Sequence, residues 1–251
     1  MLGFGRTDLG SVRQNNEDAI FVSNKNIGGL ENLYIISDGM GGHNAGEVAS
    51  SKAIEFFVEK IKEHEAEIAD DDLIQVMSEA VRHANRSVHD IAAQNLEMAG
   101  MGTTFTAVTF RGKKGYVVHI GDSRAYALKP QMMKQITTDH TYVNDLVRAE
   151  IISDEQARTH HLRNVITRAV GSEAECEVDA YTFDVEQGDK FLLCSDGLTT
   201  MLEDSEIEMV VATSPDFEQV TTKLISLANA QGGVDNISVI LVGEGGVDDV
   251  A

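Results

Sequence analysis

Acidic residues at the ends of apolar segments are the feature of this sequence with the clearest chemical potential. The apolar run at 33–37 is followed by an Asp-Gly pair, and so is the run at 191–195. A Gly-Asp-Ser variant follows the run at 117–120, and further acids border the first and last apolar runs. If the runs are strands, rigid backbone holds these carboxylates: Asp38, Asp196, Asp122, Asp235, Asp18 and Glu17.

Carboxylates that converge on one rim of a sheet would favour a divalent cation. Hard oxygen ligands without Cys or His select Mg²⁺, Mn²⁺ or Ca²⁺ rather than Zn²⁺. Mutual repulsion would raise the pKa values of the carboxyls unless cations neutralise them. A single Asp-Gly pair after a strand is usually a turn. Three or more such ends in one chain tilt the interpretation toward a metal site, although spacing alone does not establish convergence.

The periodicity of apolar residues predicts the elements that position these acids. Two segments, 47–65 and 71–94, have the 3.6-residue spacing of amphipathic helices, and two further helices are expected near 204–212 and 216–231. The segment 139–170 is polar and is expected to form short helices. Strands are predicted at 18–23, 33–37, 103–111, 115–120, 124–129, 132–136, 177–183, 190–195 and 237–242.

Grouped strands with helices in separate pairs indicate an α+β fold rather than a wound βαβ sheet. The short connections between the middle strands imply antiparallel pairing. Because the helix pairs must cover sheet faces, a helix–sheet–sheet–helix layering is expected. No Pro-rich or low-complexity linker divides the chain, so one domain over 1–243 is expected, followed by a disordered Gly- and Asp-rich tail at 244–251.

Charge and composition exclude several classes of partner. The chain has 41 acidic and 20 basic residues, giving a formal charge of −21. This argues against binding to nucleic acid or to anionic membrane surfaces. The chain does not open with a basic start and an apolar run, and no apolar stretch approaches the length of a membrane span. Two cysteines without metal-ligand spacing are expected to be inert thiols of a cytoplasmic protein, with a disulfide as the alternative.

The order of short motifs resembles the type 2C, metal-dependent protein phosphatases, and most of all their bacterial members. The resemblance spans about residues 3–243 and implies a four-layer αββα sandwich with the metal site at one edge of two mainly antiparallel sheets. It also implies phosphoserine and phosphothreonine protein substrates. The motifs are Arg13-Gln14-Asn15-Asn16-Glu17-Asp18, Asp38-Gly39-Met40-Gly41-Gly42, Gly102-Thr103-Thr104, Gly121-Asp122-Ser123-Arg124, Ser195-Asp196-Gly197 and Asp235-Asn236.

The resemblance implies a role for each matching residue. Two core Mn²⁺ or Mg²⁺ ions would be held by Asp38 as a bridge, with the Gly39 carbonyl on one ion and Asp196 and Asp235 on the other. The remaining matches are Glu17 and Asp18 acting through water, Asp122 at a candidate third ion, and Arg13 binding the substrate phosphate. A guanidinium suits that last role because it pairs with phosphate oxygens in a bidentate way. The alternative for Arg13 is a surface salt bridge.

The implied reaction is in-line attack of a metal-activated hydroxide on phosphorus, without a covalent enzyme intermediate. Many eukaryotic relatives have His directly after the Asp-Gly pair as a candidate general acid, whereas this chain has Met40. His43 is the alternative proton donor, its competing interpretation being an exposed loop residue. His140, His160 and His161 lie in a region that resembles a mobile flap, and we expect them to be surface or substrate-contact residues.

Two other functions fit parts of the sequence. A phosphoprotein-binding adaptor would keep the fold but lose metal ligands, and Asp38, Asp196 and Asp235 are all present. A phosphatase for small phosphate esters or phosphotyrosine is a nearer alternative, because such a metal site recognises phosphate and little else. The resemblance also suggests a cognate bacterial Ser/Thr kinase and its substrates as partners. The protein is expected to be a monomer.

Overall fold

The structure is a computed structural model, and it describes residues 1–42, 45–64, 66, 68–129 and 132–244. Eleven strands are assigned within these ranges: β1 (Leu2–Asp8), β2 (Asp18–Ser23), β3 (Leu33–Met40), β4 (Gly102–Thr103), β5 (Phe105–Arg111), β6 (Lys114–Ile120), β7 (Arg124–Lys129), β8 (Met132–Gln135), β9 (Asp179–Asp184), β10 (Lys190–Cys194) and β11 (Ile237–Gly243). The α-helices are α1 (Ala45–Lys62), α2 (Leu73–Gln94), α3 (Tyr142–Arg148), α4 (Asp154–Thr159), α5 (Asp196–Thr199), α6 (Asp204–Ala212) and α7 (Phe217–Ala230).

The strands form two antiparallel sheets. The first sheet has the order β1-β11-β10-β7-β8. The second has the order β2-β3-β5-β6-β9, and the short strand β4 also pairs with β3. In the register of the second sheet, Asp18 of β2 lies opposite Asp38 of β3. Two of the predicted site residues are therefore neighbours through strand pairing alone.

Three apolar clusters define the layers. Strand β3 is buried on both faces, so its alternating side chains enter two different clusters. Leu33 and Ile35 pack with residues of α1 and α2, whereas Tyr34 and Ile36 pack with Phe191 and other residues of the opposite sheet. A third cluster lies between the first sheet and helices α6 and α7. The layers are thus helix, sheet, sheet, helix, and the predicted αββα sandwich is confirmed.

Strand β1 is the element that the sequence pattern missed. Its segment contains two glycines, Gly3 and Gly5, which weaken the periodic apolar pattern of a strand. A Cβ atom on Gly3 would lie 2.3 Å from the Tyr34 ring, and one on Gly5 would lie 2.8 Å from a Val22 methyl group. The glycines therefore leave room for side chains of the facing sheet, which a single-sequence pattern does not reveal.

The remaining differences are small and concentrate near the predicted site. The predicted strand 103–111 is divided at Thr104, whose N–H donates to the Asp38 carbonyl oxygen (2.8 Å). Helix α5 begins at Asp196, where the sequence predicted only a strand end. Both cysteines, Cys176 and Cys194, are free. Within the described ranges, no helix has the length and apolar character needed to cross a bilayer.

The cluster between the sheets predicts a large stability loss on truncation of Phe191. This side chain is buried and packs 4.8 Å from Phe110 and 5.1 Å from Phe183, measured between ring centroids. We expect Phe191→Ala to lower the free energy of unfolding by about 3–5 kcal/mol, measured by chemical denaturation. The control is Leu96→Ala, because Leu96 is 95% exposed. A Phe191→Ala effect as small as that of the control would contradict the assigned packing.

Candidate active site

Asp38 lies near the end of the largely buried strand β3. Its backbone is fixed by two threonines of the neighbouring segment, because Asp38 N–H donates to the Thr104 hydroxyl (2.8 Å) and its carbonyl accepts from the Thr103 hydroxyl (2.8 Å). Ser37, directly before it, lies 2.7 Å from the Thr103 hydroxyl and donates to the Thr104 carbonyl (2.8 Å). The backbone that carries the Asp38 carboxyl is thus held by several hydrogen bonds to Thr103 and Thr104.

Gly39 is the point where three backbone segments approach one another most closely. Its N–H donates to the Glu17 carbonyl (3.0 Å). A Cβ atom at Gly39 would lie 2.0 Å from the Gly46 carbonyl oxygen and 2.6 Å from that of Glu17. No side chain fits there, so the Asp-Gly pair is required by packing between β3, the start of α1 and the segment before β2.

The Asp18 carboxyl links the two sheets. Its Oδ2 accepts hydrogen bonds from the hydroxyls of Ser195 (2.8 Å), which directly follows β10, and Ser238 (2.6 Å) of β11 in the opposite sheet. Its Oδ1 is buried and has no hydrogen-bond partner in the described part of the chain. Burial raises the pKa of Asp18 to about 7, although the two serine bonds act in the opposite direction. Hydrogen bonds therefore hold one oxygen of the carboxyl, and the other oxygen is available to a ligand.

Like charges surround Asp38. Burial raises the pKa of Asp38 well above its ordinary value, and repulsion by Asp18, Asp196, Asp122 and Asp235 adds to this. Burial likewise raises the pKa of Asp196 to about 6, with repulsion by Asp235 adding to it and a hydrogen bond with Asp38 opposing it. Burial and repulsion by Asp196 raise the pKa of Asp122. These residues form one electrostatic unit.

Arg13 and Asp235 form an ion pair at the rim of this unit. The guanidinium donates to Asp235 Oδ2 (2.7 Å), while Asp235 Oδ1 accepts from the backbone N–H of Asn236 (2.8 Å). Burial alone would lower the pKa of Arg13, but the bond and the charge of Asp235 outweigh it and raise the pKa. Burial also raises the pKa of Glu17, against the opposing charge of Arg13. The side chains of Arg13 and Asp235 are 47% and 30% exposed, so the pair remains open to solvent.

The Asn236 side chain ties the N-terminal segment to the last strand. Its Oδ1 accepts from the Glu17 N–H (2.8 Å), and its Nδ2 donates to the carbonyls of Leu9 (2.9 Å) and Asn15 (3.0 Å). The side chain is buried, and all three partners are backbone groups. Asn236 therefore sets the path of the segment that carries Arg13 and Glu17.

His140 corrects one expectation from the sequence. It is 2% exposed rather than on the surface, and it holds the turn before Asp122. Its side-chain Nδ1 accepts from the Gly121 N–H (3.0 Å), and its backbone N–H donates to the Gly121 carbonyl (2.7 Å). Gly121 has φ +109°, and a Cβ there would meet Thr104. By contrast, His160 is half-buried and stacks on the exposed His161, so these two rings do lie at the surface of the predicted flap.

The donor set fits divalent cations in its chemistry. It consists of carboxylate oxygens, and Asp122 Oδ1, like Asp18 Oδ1, is buried without a hydrogen-bond partner in the described part of the chain. Clustered, buried carboxylates with raised pKa values are relieved by positive charge. In the described ranges, however, no three Asp, Glu, His or Cys side chains stand in a coordinating arrangement. The acids are thus neighbours electrostatically without forming a closed coordination shell.

The structure brings most of the sequence-predicted residues into one neighbourhood. Asp38, Gly39, Asp18, Glu17, Asp196, Asp122, Asp235 and Arg13 all belong to it, and their individual roles remain predictions. His43 lies outside the described residues. The supporting residues to which the sequence assigned no role are Ser195, Ser238, Thr103, Thr104 and Asn236. A signal was present for four of them, because Thr103, Thr104, Ser195 and Asn236 all stand in the motifs that carry the family resemblance.

Comparison with known proteins places the whole chain in one family. The family model of protein phosphatase 2C matches residues 10–241. A serine/threonine phosphatase, stp, of Listeria innocua is 36% identical over 242 residues, covering 94% of this chain and 93% of its own. The serine/threonine protein phosphatase PstP of Mycobacterium tuberculosis is 37% identical over 240 residues, covering 94% of this chain but 43% of its own. The chain therefore belongs to the protein phosphatase 2C family, which confirms the resemblance.

Solved structures agree with this assignment. A serine/threonine phosphatase of S. agalactiae superposes with a TM-score of 0.90 at 33% identity, covering 96% of this chain and 99% of its own. The catalytic domain of PstP in complex with two manganese ions superposes with a TM-score of 0.82 at 35% identity, covering 95% and 96%. The arrangement of sheets and helices is thus the one found in bacterial serine/threonine phosphatases.

The clustered charges predict that Asp38→Asn stabilises the metal-free fold. Burial and like charges raise the pKa of Asp38, which costs stability wherever the unfolded carboxyl ionises, and asparagine has no such proton to lose. The variant should therefore melt higher than the parent at pH 8 in excess chelator, by about 2–4 °C for each kcal/mol gained. The raised pKa values of Asp18 (about 7) and Asp196 (about 6) imply that their stabilising contribution is present at low pH and lost as the pH rises through 6–7. The advantage of Asp38→Asn should therefore shrink at pH 5.

Differential scanning calorimetry with and without Mn²⁺ tests this prediction. Added Mn²⁺ should raise the melting temperature of the parent more than that of Asp38→Asn, because the ion binds the folded carboxylates. Asp90→Asn, which changes an exposed acid on α2, serves as the charge-matched control. A metal-free Asp38→Asn protein that melts lower than the parent at pH 8 would show that repulsion does not dominate this site.

The contacts of Asn236 predict separate effects on stability and on the Arg13 segment. Asn236→Ala leaves the buried Glu17 N–H and two carbonyls without their partner, so we expect a loss of about 2–3 kcal/mol. Asn236→Asp keeps an acceptor for Glu17 but loses both donors. Hydrogen exchange measured by mass spectrometry should show faster exchange over 9–17 in both variants, and unchanged exchange in α2. Equal protection of 9–17 in the parent and in Asn236→Ala would disprove the tethering role.

Proposed function

We propose that this protein is a metal-dependent phosphatase that hydrolyses phosphoserine and phosphothreonine in proteins. The observation that carries the proposal is the buried unit of carboxylates at the edge of the two sheets, in a chain that belongs to the protein phosphatase 2C family. Acids with raised pKa values and unpartnered oxygens destabilise a fold, so their presence is explained by a bound cation. The two manganese ions of the related PstP catalytic domain support a two-ion centre of Mn²⁺ or Mg²⁺ here.

Each side chain of the unit has a proposed task. Asp38 would bridge two ions, with the Gly39 carbonyl on one and Asp196 and Asp235 on the other. Asp122 would serve a third ion, and Glu17 and Asp18 would act through water. A pair of divalent cations, when bound, supplies an activated water and stabilises negative charge on the phosphoryl group. The protein supplies the fixed geometry, through the threonine contacts of Asp38 and the serine contacts of Asp18.

Arg13 is the proposed ligand of the substrate phosphate. Its guanidinium stays charged throughout the working pH range, and it is half-exposed beside Asp235. Only one of the five guanidinium N–H groups donates to Asp235, so the others can bind phosphate and orient the phosphoryl group toward the carboxylates. His43 remains the proposed proton donor to the leaving group, although it lies outside the described residues. The reaction proposed is in-line displacement without a covalent enzyme intermediate.

The wider context of the protein follows from the same proposal. Phosphoserine and phosphothreonine proteins would be its substrates, and a cognate bacterial Ser/Thr kinase would phosphorylate them. The relatives named serine/threonine phosphatase support this substrate class. We also propose one catalytic domain that acts as a monomer in the cytoplasm, where two free cysteines are expected to stay reduced.

A phosphopeptide panel with Mn²⁺ titration tests the proposal. Phosphate release from phosphoserine and phosphothreonine peptides should depend on Mn²⁺ and exceed release from the matched phosphotyrosine peptide. Asp38→Ala and Asp235→Ala should each lower kcat by more than about 100-fold, because they remove oxygen ligands that stabilise the transition state. Asp90→Ala, an exposed acid on α2, should leave turnover unchanged.

Three results would contradict the proposal in different ways. Near-normal turnover in both Asp38→Ala and Asp235→Ala would remove the carboxylate unit from the reaction. Tight binding of phosphopeptides without turnover would identify a binding adaptor. A preference for phosphotyrosine or for small phosphate esters would change the substrate class while leaving the chemistry in place.

A further inference from the structure

Three exposed apolar residues lie in the two segments that carry the Arg13–Asp235 ion pair. Leu9, Val12 and Val234, here called the apolar rim, are 39%, 64% and 46% exposed. Val12 directly precedes Arg13, and Val234 directly precedes Asp235. The two valines thus lie next in sequence to the two partners of one ion pair, whose charged groups are 2.7 Å apart.

The two segments that carry the apolar rim are locked together. Ser11 N–H donates to the Gly233 carbonyl (2.8 Å), and the Asn236 side chain donates to the Leu9 carbonyl (2.9 Å). Gly10 has φ +81°, and a Cβ atom there would lie 2.1 Å from the Asp235 carbonyl oxygen. The segments 9–12 and 233–236 are therefore packed directly against each other, and Arg13 and Asp235 lie at or next to their ends.

Neither the fold nor the carboxylate unit uses these side chains. None of the three belongs to the apolar clusters formed by the described residues. Scattered exposed apolar residues are normal, but a group of them beside a polar site marks an interaction surface. Leu96 on a different part of the molecule is even more exposed, at 95%, but it lies after α2 and not beside a polar site.

We propose that the apolar rim receives an apolar side chain of the substrate polypeptide next to the phosphorylated residue. The proposal rests on the proposed function, because it takes Arg13 as the phosphate ligand. Successive residues of an extended chain are about 3.3–3.6 Å apart, so positions one or two residues from the phosphorylated residue reach a surface adjacent to Arg13. Glu17 and Asp235 also border Arg13. An acidic substrate residue at the same position would therefore meet like charge.

The rim is thus a determinant of substrate choice rather than of chemistry. It selects phosphopeptides with an apolar residue near the phosphorylated position over those with an acidic or small polar residue. A small aryl phosphate has no such flanking residue and does not reach the rim.

The test uses one phosphothreonine peptide scaffold with Leu, Ser or Asp at each position from −2 to +2. Steady-state kinetics with Mn²⁺ are measured for the full chain, for Val12→Ser and Val234→Ser, and for Leu96→Ser as the matched control. Para-nitrophenyl phosphate is the substrate that lacks flanking residues. Each variant changes an exposed side chain, so folding is expected to be preserved, and the aryl phosphate reports it directly.

We expect the unmodified chain to prefer Leu over Ser by about fivefold in kcat/KM at one or two positions of the peptide. This is the ratio expected when about 40 Å² of apolar surface is removed from water on binding. Asp should be the poorest residue there. Val12→Ser and Val234→Ser should reduce the Leu preference toward one, mainly through KM, with unchanged kinetics on the aryl phosphate. Leu96→Ser should retain the full preference.

Failure of this inference is distinguishable from failure of the proposed function. An active enzyme that shows no Leu preference, or that keeps the preference in both valine variants, overturns the inference alone. A full chain that hydrolyses neither the peptides nor the aryl phosphate with Mn²⁺ overturns the proposed function and the inference with it.

Discussion

The buried carboxyl of Asp18 is the interaction on which the site depends. Two sheets packed face to face through apolar side chains have no intrinsic reason to hold their ends in register. Here the hydroxyls of Ser238, in the first sheet, and of Ser195, directly after its strand β10, both donate to one oxygen of Asp18 in the second sheet. This polar link lies at the strand ends that carry the other carboxylates, so it fixes the distance between the two halves of the site.

Further contacts explain why the carboxylate unit stays closed despite the repulsion between its acids. Asp38 and Asp18 are opposite one another in adjacent strands, where like charges destabilise the pairing. Hydrogen bonds between the Asp38 backbone and the hydroxyls of Thr103 and Thr104 hold Asp38 in place despite this cost, as does the close packing at Gly39. The apolar clusters on both faces of β3 supply the stability that offsets the repulsion. The proposed site thus lies where repulsion between carboxylates costs stability, and the surrounding hydrogen bonds and apolar packing offset that cost.

The layered fold was predictable from the sequence, and so was the membership of most site residues. Apolar periodicity located α2 and the strands β2 and β7 at their observed bounds or within two residues, because these elements bury one or two regular faces. Strand β1 was missed because it contains Gly3 and Gly5. A side chain at either position would clash with Tyr34 or Val22, which are distant in sequence. Local patterns contain no information about such a neighbour.

The supporting contacts of the site were unpredictable for the same reason. His140 was expected at the surface because it lies in a polar segment, yet it holds Gly121 through two hydrogen bonds. Asn236 is 219 positions away from Glu17 in the chain but accepts from its N–H. Motif order identified the acids that lie in the unit and that we propose to hold the cations. The contacts that position these acids join residues far apart in the chain, and a single-sequence pattern does not show which partners meet.

The Arg13–Asp235 ion pair connects the two chemical halves of the proposed site. A half-exposed pair of this kind contributes only about 0–1 kcal/mol, because water screens it and ordering the side chains costs entropy. Asp235 is anchored independently of Arg13, since its other oxygen accepts from the Asn236 N–H. Arg13 can therefore exchange its partner for a phosphate oxygen at little cost, while Asp235 remains in place for a cation. The weakness of the pair thus suits a site that must bind anion and cation side by side.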